Sequence, residues 1–389
     1  MYRKIVIASD SFKGSLTSLE VAEAAAEGVR RAYPSCKAVC MPIADGGEGM
    51  VMAMASSLNA EEVSVTVSGP LGRKVTAVYA MTPDGTAVME MAQASGLTLL
   101  SKEERDPLLT STYGTGEMIM DALKRGCRRF VIGIGGSATN DGGTGMLEAL
   151  GFGFIGKDGK MLEGICGGML EEITGIDVSS VCSDVLEAEF IIACDVDTPF
   201  CGLEGAAEVF APQKGADRKA VEKLEAGMES LCRLISETKG VDLSTIPGSG
   251  AAGGLGGAFR AFLNARLEKG IDTVLEMNGF DSQIADADLI ITGEGKIDGQ
   301  TLHGKVVSGI AARAQRYGIP VIAIAGIAEV SDRQIKECGL TAVYQIAERP
   351  ETESNLEYAM RPEVASRNIS RTVSKALEEL SPSLFRGNL

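Results

Sequence analysis

Lys4-Ile5-Val6-Ile7-Ala8-Ser9-Asp10-Ser11-Phe12-Lys13-Gly14-Ser15 decides how this 389-residue chain folds. Lys4 to Ala8 is a continuous, largely β-branched run. Such a run suits a strand of a parallel sheet covered on both faces. Ser9 to Ser15 reads as a loop. Thr17 and Glu20 then have capping-box spacing, and Val21, Ala24, Ala25, Gly28 and Val29 fall on one helical face. Pro34 ends that helix. A second strand, Ala38 to Met41, runs into Pro42-Ile43-Ala44-Asp45-Gly46-Gly47-Glu48-Gly49 and a further helix. This β-loop-α repeat puts its loops at the carboxyl ends of the strands, where doubly wound folds bind ligands.

The pattern changes after residue 60. Glu62 to Val67 and Lys74 to Met81 alternate, Gly69-Pro70 lies between them, and Pro83-Asp84-Gly85 turns into Thr86 to Glu90. That is an antiparallel meander. A helix around Met118 to Lys124 ends at Gly126. The strand Arg129 to Ile134 follows, then a glycine-rich loop, a helix around Met146 to Leu150, and the strand Glu189 to Cys194. Towards the end of the chain the first pattern returns. Leu289 to Thr292 and Pro320 to Ala325 read as strands, with Thr341 to Gln345 a third. The last helix has Ile369, Val373, Ala376, Leu377 and Leu380 as its buried stripe. The expected class is α/β, with two α/β domains: a discontinuous Rossmann-like parallel-sheet domain from 1–60 and 285–389, and an inserted mixed-sheet domain from 61–284.

Bulk properties narrow the function. The net charge is −16 and Trp is absent. Binding to phosphate backbones needs a basic surface, and stacking platforms need aromatics, so neither nucleic acid nor an anionic membrane is an expected partner. Nine scattered cysteines with no CxxC pair read as reduced, buried thiols of a cytoplasmic protein, in preference to metal ligands at Cys36 and Cys40 or Cys194 and Cys201. The apolar start is too short for a signal peptide, and no apolar run approaches the ~20 residues of a membrane span.

Gly133-Ile134-Gly135-Gly136-Ser137-Ala138-Thr139-Asn140-Asp141-Gly142-Gly143 carries the strongest chemical signal. Five glycines in eleven residues allow backbone N–H groups to converge, and the helix that follows adds positive charge at its N-terminus. Phosphate is the expected occupant. Ser137, Thr139 and Asn140 add side-chain donors, and Asp141 could approach a metal. No Walker loop occurs; Gly299 to Lys305 is a near miss, with Val306 in the hydroxyl position. Gly248-Ser249-Gly250-Ala251-Ala252-Gly253 matches a dinucleotide fingerprint but follows no clear strand, which leaves a hinge, a phosphate-covering loop or a packing turn.

Acidic residues recur at strand ends: Asp10, Asp45, Asp195, Asp197, Glu294 and Asp298. Such carboxylates hold Mg2+ or take a hydroxyl proton. Lys13, Lys214, Lys296 and Lys305 lie in loops near glycine, as charge neutralisation in phosphoryl transfer requires. His303 is the single histidine, which excludes mechanisms that need two. Each of these residues has an ordinary structural reading too, as a cap, a turn residue or a surface lysine.

Taken in order, the loops resemble the bacterial glycerate kinase family that makes 2-phosphoglycerate. The segments are Asp10 to Leu16, Pro42 to Gly49, Thr110 to Glu117, Gly133 to Gly143, Asp195-Val196-Asp197-Thr198-Pro199, Ala211-Pro212-Gln213-Lys214-Gly215-Ala216, Pro247 to Gly256 and Gly293 to Lys305. The resemblance implies ATP, Mg2+ and D-glycerate, and an active site in the cleft between the two domains. On it, Asp45, Lys13, Asp195 and Lys305 are the catalytic expectations. Gly135, Gly136, Ser137, Asn140, Asp141 and Lys214 fall to the nucleotide, and Ser11, Glu48, Lys296 and His303 to the acceptor. Asp195, Asp197, Glu294 and Asp298 fall to the metal. Lys296 stands where arginine is expected, and Val306-Val307-Ser308 replaces a segment where proline is expected. A kinase for another small hydroxy acid, a non-catalytic glycerate or nucleotide sensor, and an NAD-linked oxidoreductase are the rival readings. A monomer or homodimer is expected.

Overall fold

The computed structural model describes residues 2–44, 49–299, 306–346 and 357–380. The chain falls into two compact units. One comprises Met1–Asp45, Met52–Leu58 and Ile271–Leu389, the other Gly46–Val51 and Asn59–Gly270.

The first unit holds a five-stranded sheet, in the order Ala342–Gln345, Val321–Ala328, Leu289–Ile297, Lys4–Ser9, Lys37–Pro42. Every pairing is parallel. Ile5, Val6, Ile7, Leu289, Ile290 and Ile291 are fully buried, as β-branched runs covered on both faces must be. The first helix, Ser18–Ala32, begins with the expected capping box: the Glu20 amide donates to Thr17 Oγ1 at 3.3 Å and the Thr17 amide to Glu20 Oε2 at 2.8 Å. Its expected face is the buried one.

That helix packs on Pro362–Glu379, whose Ile369, Val373, Ala376 and Leu377 are buried and whose stripe is completed by the half-buried Leu380. The helices meet at Gly28. A Cβ there would lie 2.5 Å from the Ser370 carbonyl oxygen and 2.8 Å from Val373 Cβ. Alanine is the better helix former by about 0.8–1.0 kcal/mol, yet the expected result of Gly28→Ala is a net loss, because overpacking costs about 1–3 kcal/mol. Urea unfolding measures it; a stabilised variant would contradict the packing.

The second unit holds a six-stranded mixed sheet, in the order Arg266–Glu268, Glu189–Ala193, Arg129–Gly133, Thr86–Glu90, Lys74–Met81, Glu61–Ser68. The meander is present, with both of its pairings antiparallel. Thr86–Glu90 also pairs parallel with Arg129–Gly133 along its other edge, and the remaining pairings are parallel. Register places Glu90, Gly133, Ala193 and Glu268 in one row at the carboxyl ends of the parallel strands. The loops that leave this row carry the candidate chemistry. Among the elements beyond the sequence reading, two stand near the loops. A small antiparallel sheet pairs Gly153–Gly156 with Met161–Leu162 and Ile173–Asp177. A 22-residue helix, Arg218–Lys239, is capped by Asp217 and ended by Gly240, with Leu224, Met228, Leu231 and Ile235 buried.

Candidate active site

The glycine-rich loop leaves Arg129–Gly133 with Gly135 and Gly136 exposed. Its course is set by the backbone of 95–97: the Leu97 amide donates to the Gly136 carbonyl and the Ala138 amide to the Ser95 carbonyl, each at 2.9 Å. Past Ala138 the chain turns inward, and Thr139, Asn140 and Asp141 are fully buried. Thr110 Oγ1 donates to the Ala138 carbonyl at 2.9 Å, and Lys214 Nζ to the Thr139 carbonyl at 2.6 Å.

The second glycine-rich segment crosses this loop at backbone distance. Ala252, Gly253 and Gly254 adopt left-handed φ values of 54°, 69° and 95°. The Gly142 amide donates to the Gly253 carbonyl at 2.9 Å, and a Cβ on Gly253 would lie 2.1 Å from the Thr139 oxygen. Of the three readings open for 248–253, the packing turn is the one that fits: its glycine is needed for close approach to the chain itself.

Asp141 collects the donors at the end of the loop. Its Oδ2 accepts from the Thr112 amide and hydroxyl, both at 2.7 Å, and from the Gly145 amide at 3.3 Å, while Oδ1 accepts from the Gly143 amide at 3.1 Å. The Met146 amide donates to Thr112 Oγ1 at 2.8 Å. Burial pushes the Asp141 carboxyl up, and the donors from Thr112, Gly143 and Gly145 pull it back. The amide donors all require an acceptor, so the carboxylate is the form this site is built for. The start of the short helix Thr144–Ala149 is therefore satisfied from within. Asp141 thus anchors the loop and the helix start to Thr112.

The loop also offers side-chain chemistry to a ligand. Thr139 Oγ1 and both Asn140 Oδ1 and Nδ2 are buried with no hydrogen-bond partner among the described residues. Each such group costs about 1–3 kcal/mol when unsatisfied, so three together in one turn point to a polar occupant. Ser137, next to them, is nearly buried.

Lys214 is 2 % exposed. Burial pushes its ammonium down to about 7, with Asp141 working against that. Its Nζ contacts the loop's backbone at the Thr139 carbonyl. Asp195 and Asp197 are exposed on the loop after Glu189–Ala193, and Asp195 Oδ1 accepts from the Gly270 amide at 2.9 Å.

In the first unit, the carboxyl end of Lys4–Ser9 lies beside Gly293, in the middle of Leu289–Ile297. The Asp10 amide and Ser9 Oγ both donate to the Gly293 carbonyl at 3.0 Å, and the Ser11 amide to Asp10 Oδ1 at 2.7 Å. Lys13 is exposed and Glu294 is half-buried. Lys296 is ion-paired with Glu329 at 3.0 Å and Asp298 at 3.3 Å; Glu329 foremost, then Asp298, raise its pKa. Asp45, Glu48, His303 and Lys305 lie outside the described residues. Among the described residues, no group of three or more His, Cys, Asp or Glu side chains is placed to hold a metal ion, and no helix is long and apolar enough to cross a membrane.

Residues 5–381 match the model of the glycerate kinase family. The chain belongs to that family. A glycerate kinase from Halalkalibacterium halodurans is 45% identical over 372 residues, 94% of this chain and 97% of the relative. The glycerate 2-kinase of Escherichia coli K12 is 43% identical over 377 residues, 95% and 98% of the two chains. A crystal structure from Salmonella typhimurium LT2, assigned as a glycerate kinase 2, has the same fold, with a TM-score of 0.85 at 42% identity, covering 98% of this chain and 100% of that one.

Two internal contacts near these loops escape a sequence reading. Thr112 lies inside the Thr110 to Glu117 segment, but nothing local shows that its hydroxyl reaches Asp141. Glu90 is 5 % exposed and accepts from the Val51 amide at 2.9 Å. Read as a hairpin strand, Thr86 to Glu90 hides the fact that Glu90 ends a parallel strand beside Gly133.

Proposed function

We propose that this chain transfers the γ-phosphoryl group of ATP to the 2-hydroxyl of D-glycerate by direct in-line displacement, releasing ADP and 2-phosphoglycerate. Glycerate phosphorylation follows from membership of the glycerate kinase family. The structural observation that carries the nucleotide side is the buried, unpartnered Thr139–Asn140 pair beneath exposed glycines.

In this reading Gly135, Gly136, Ser137 and Asn140 hold nucleotide phosphates through backbone amides and side-chain donors. Asp45 accepts the proton of the acceptor hydroxyl as its oxygen bonds to phosphorus. The bond from phosphorus to the β,γ-bridging oxygen breaks, and its electron pair leaves with ADP. Lys13 and Lys305 neutralise the phosphoryl group in transit, and Ser11, Glu48, Lys296 and His303 bind the acceptor. Asp195 and Asp197 suit Mg2+, which needs only one or two carboxylates when phosphates and water complete its shell; Glu294 and Asp298 are the second choice. The ion would supply charge neutralisation at the phosphates. A cytoplasmic location and a monomeric or dimeric state complete the proposal.

Lys296 is the point at which acceptor preference should differ from relatives with arginine there. A lysine keeps the charge but not the bidentate fork that grips a carboxylate, and here it is shared with Glu329 and Asp298. Phosphorus NMR of the product tests the regiochemistry. A 2-phosphoglycerate resonance is expected; 3-phosphoglycerate as the product would overturn the assignment.

A further inference from the structure

Lys214 projects from a tight turn. Its own amide donates to the Ala211 carbonyl at 3.0 Å, the Gly215 amide to Pro212 at 3.1 Å, and the Ala216 amide to Ala211 at 3.1 Å. Gly215, at φ +102°, lies against the Arg105 backbone, where a Cβ would come within 2.1 Å of the carbonyl oxygen. The side chain therefore leaves a rigid base, runs through the interior, and ends on the Thr139 carbonyl. The next residue is Asn140, whose amide group is buried without a partner.

A buried lysine is costly. Burial drives this ammonium down to about 7 even with Asp141 working against it. A methionine would fill the same space without that cost. What lysine adds is an N–H on the one carbonyl that precedes Asn140. The bond needs only an N–H, so both protonation states supply it. The neighbouring carbonyl, that of Ala138, is held in the same way by Thr110. Side chains thus hold the loop at two successive peptides, while Gly253 and the backbone at 95–97 hold it from other sides.

We infer that Lys214 is a positioning residue, which fixes the Thr139–Asn140 peptide so that the two side chains meet the nucleotide phosphates, and that it does not touch the phosphates itself. This rests on the reading that the 133–143 loop holds the nucleotide.

The test is a double-mutant cycle on the full chain with Lys214→Met and Asn140→Ala, read as KM for ATP, KM for glycerate and kcat. Lys214→Met is expected to raise the ATP KM about tenfold or more, with glycerate KM and kcat within about threefold, as loss of ground-state binding does. In the Asn140→Ala background the same change should add less than about twofold, because both act through one contact. Effects that multiply, with a fall in kcat, would overturn the inference in favour of direct contact with the transferring group. A raised ATP KM in Asn140→Ala with none in Lys214→Met would overturn it alone. An unchanged ATP KM in Asn140→Ala would overturn the nucleotide reading of the loop, and the inference with it. Should Lys214→Met fail to fold, Lys214→Arg in the same cycle decides between shared and independent action by the same criterion.

Discussion

Gly253→Ala should unfold the second unit at far lower denaturant than the wild type, with an expected loss of about 2–5 kcal/mol from two sources. The backbone there is left-handed, at φ +69°, which costs an L-residue about 1–2 kcal/mol. The larger part is steric. The new Cβ would sit 2.1 Å from the Thr139 carbonyl oxygen and 2.6 Å from Asn140 Cα. Both are backbone atoms, so no rotamer change relieves the contact. The Thr139 carbonyl also carries the Lys214 bond, and Gly142 is bonded to Gly253 itself, so the displaced loop loses two anchors. Gly159→Ala is the control. Gly159 has φ +77° with nothing within 4 Å of its Cβ position, so it should show the backbone cost alone. Equal midpoints for the two variants in urea unfolding would mean that the crossing of the two glycine-rich segments does not exist.

The second large effect is at Asp141. Asp141→Ala strips the acceptor from the amides of Thr112, Gly143 and Gly145 and from the Thr112 hydroxyl, all in the interior. Each orphaned group costs about 1–3 kcal/mol, partly offset because a desolvated carboxylate is also removed. A net loss on the order of 3 kcal/mol is expected. That is a large share of the 5–15 kcal/mol by which domains are typically stable. The start of Thr144–Ala149 and the glycine-rich loop before it should loosen together, visible as faster amide exchange at Gly143, Gly145 and Met146. Melting within a degree of wild type, with unchanged exchange, would show that Asp141 is not an internal anchor.

These two residues also show where the sequence was readable. The capping box at Thr17, the β-branched runs of the first sheet and the alternating meander all depend on neighbours within a few positions. Their physics is local, and they appear where periodicity puts them. The glycine-rich loop was found by composition, but composition does not say which partner needs the missing Cβ. At Gly253 it is the protein's own backbone, more than a hundred residues away in the chain. Asp141 has the same ambiguity: nothing local to a carboxylate after a run of glycines shows that Thr112 donates to it. Lys214 reads as a loop lysine near glycine, and nothing local shows its burial or its bond to the Thr139 carbonyl. Glu90 was hidden because its strand shows only its antiparallel edge in local pattern, while the parallel edge forms with Arg129–Gly133. In each case the missing information is a contact between distant segments. The family resemblance could bridge it for the reaction, but not for the work of each residue.

The measurement that bears most directly on the central claim is ADP release from Mg-ATP with D-glycerate, with L-glycerate and without acceptor. Release that requires D-glycerate and is near background in the other two is the predicted result. Release at the same rate with and without glycerate, or none with any acceptor while ATP still binds, would contradict it.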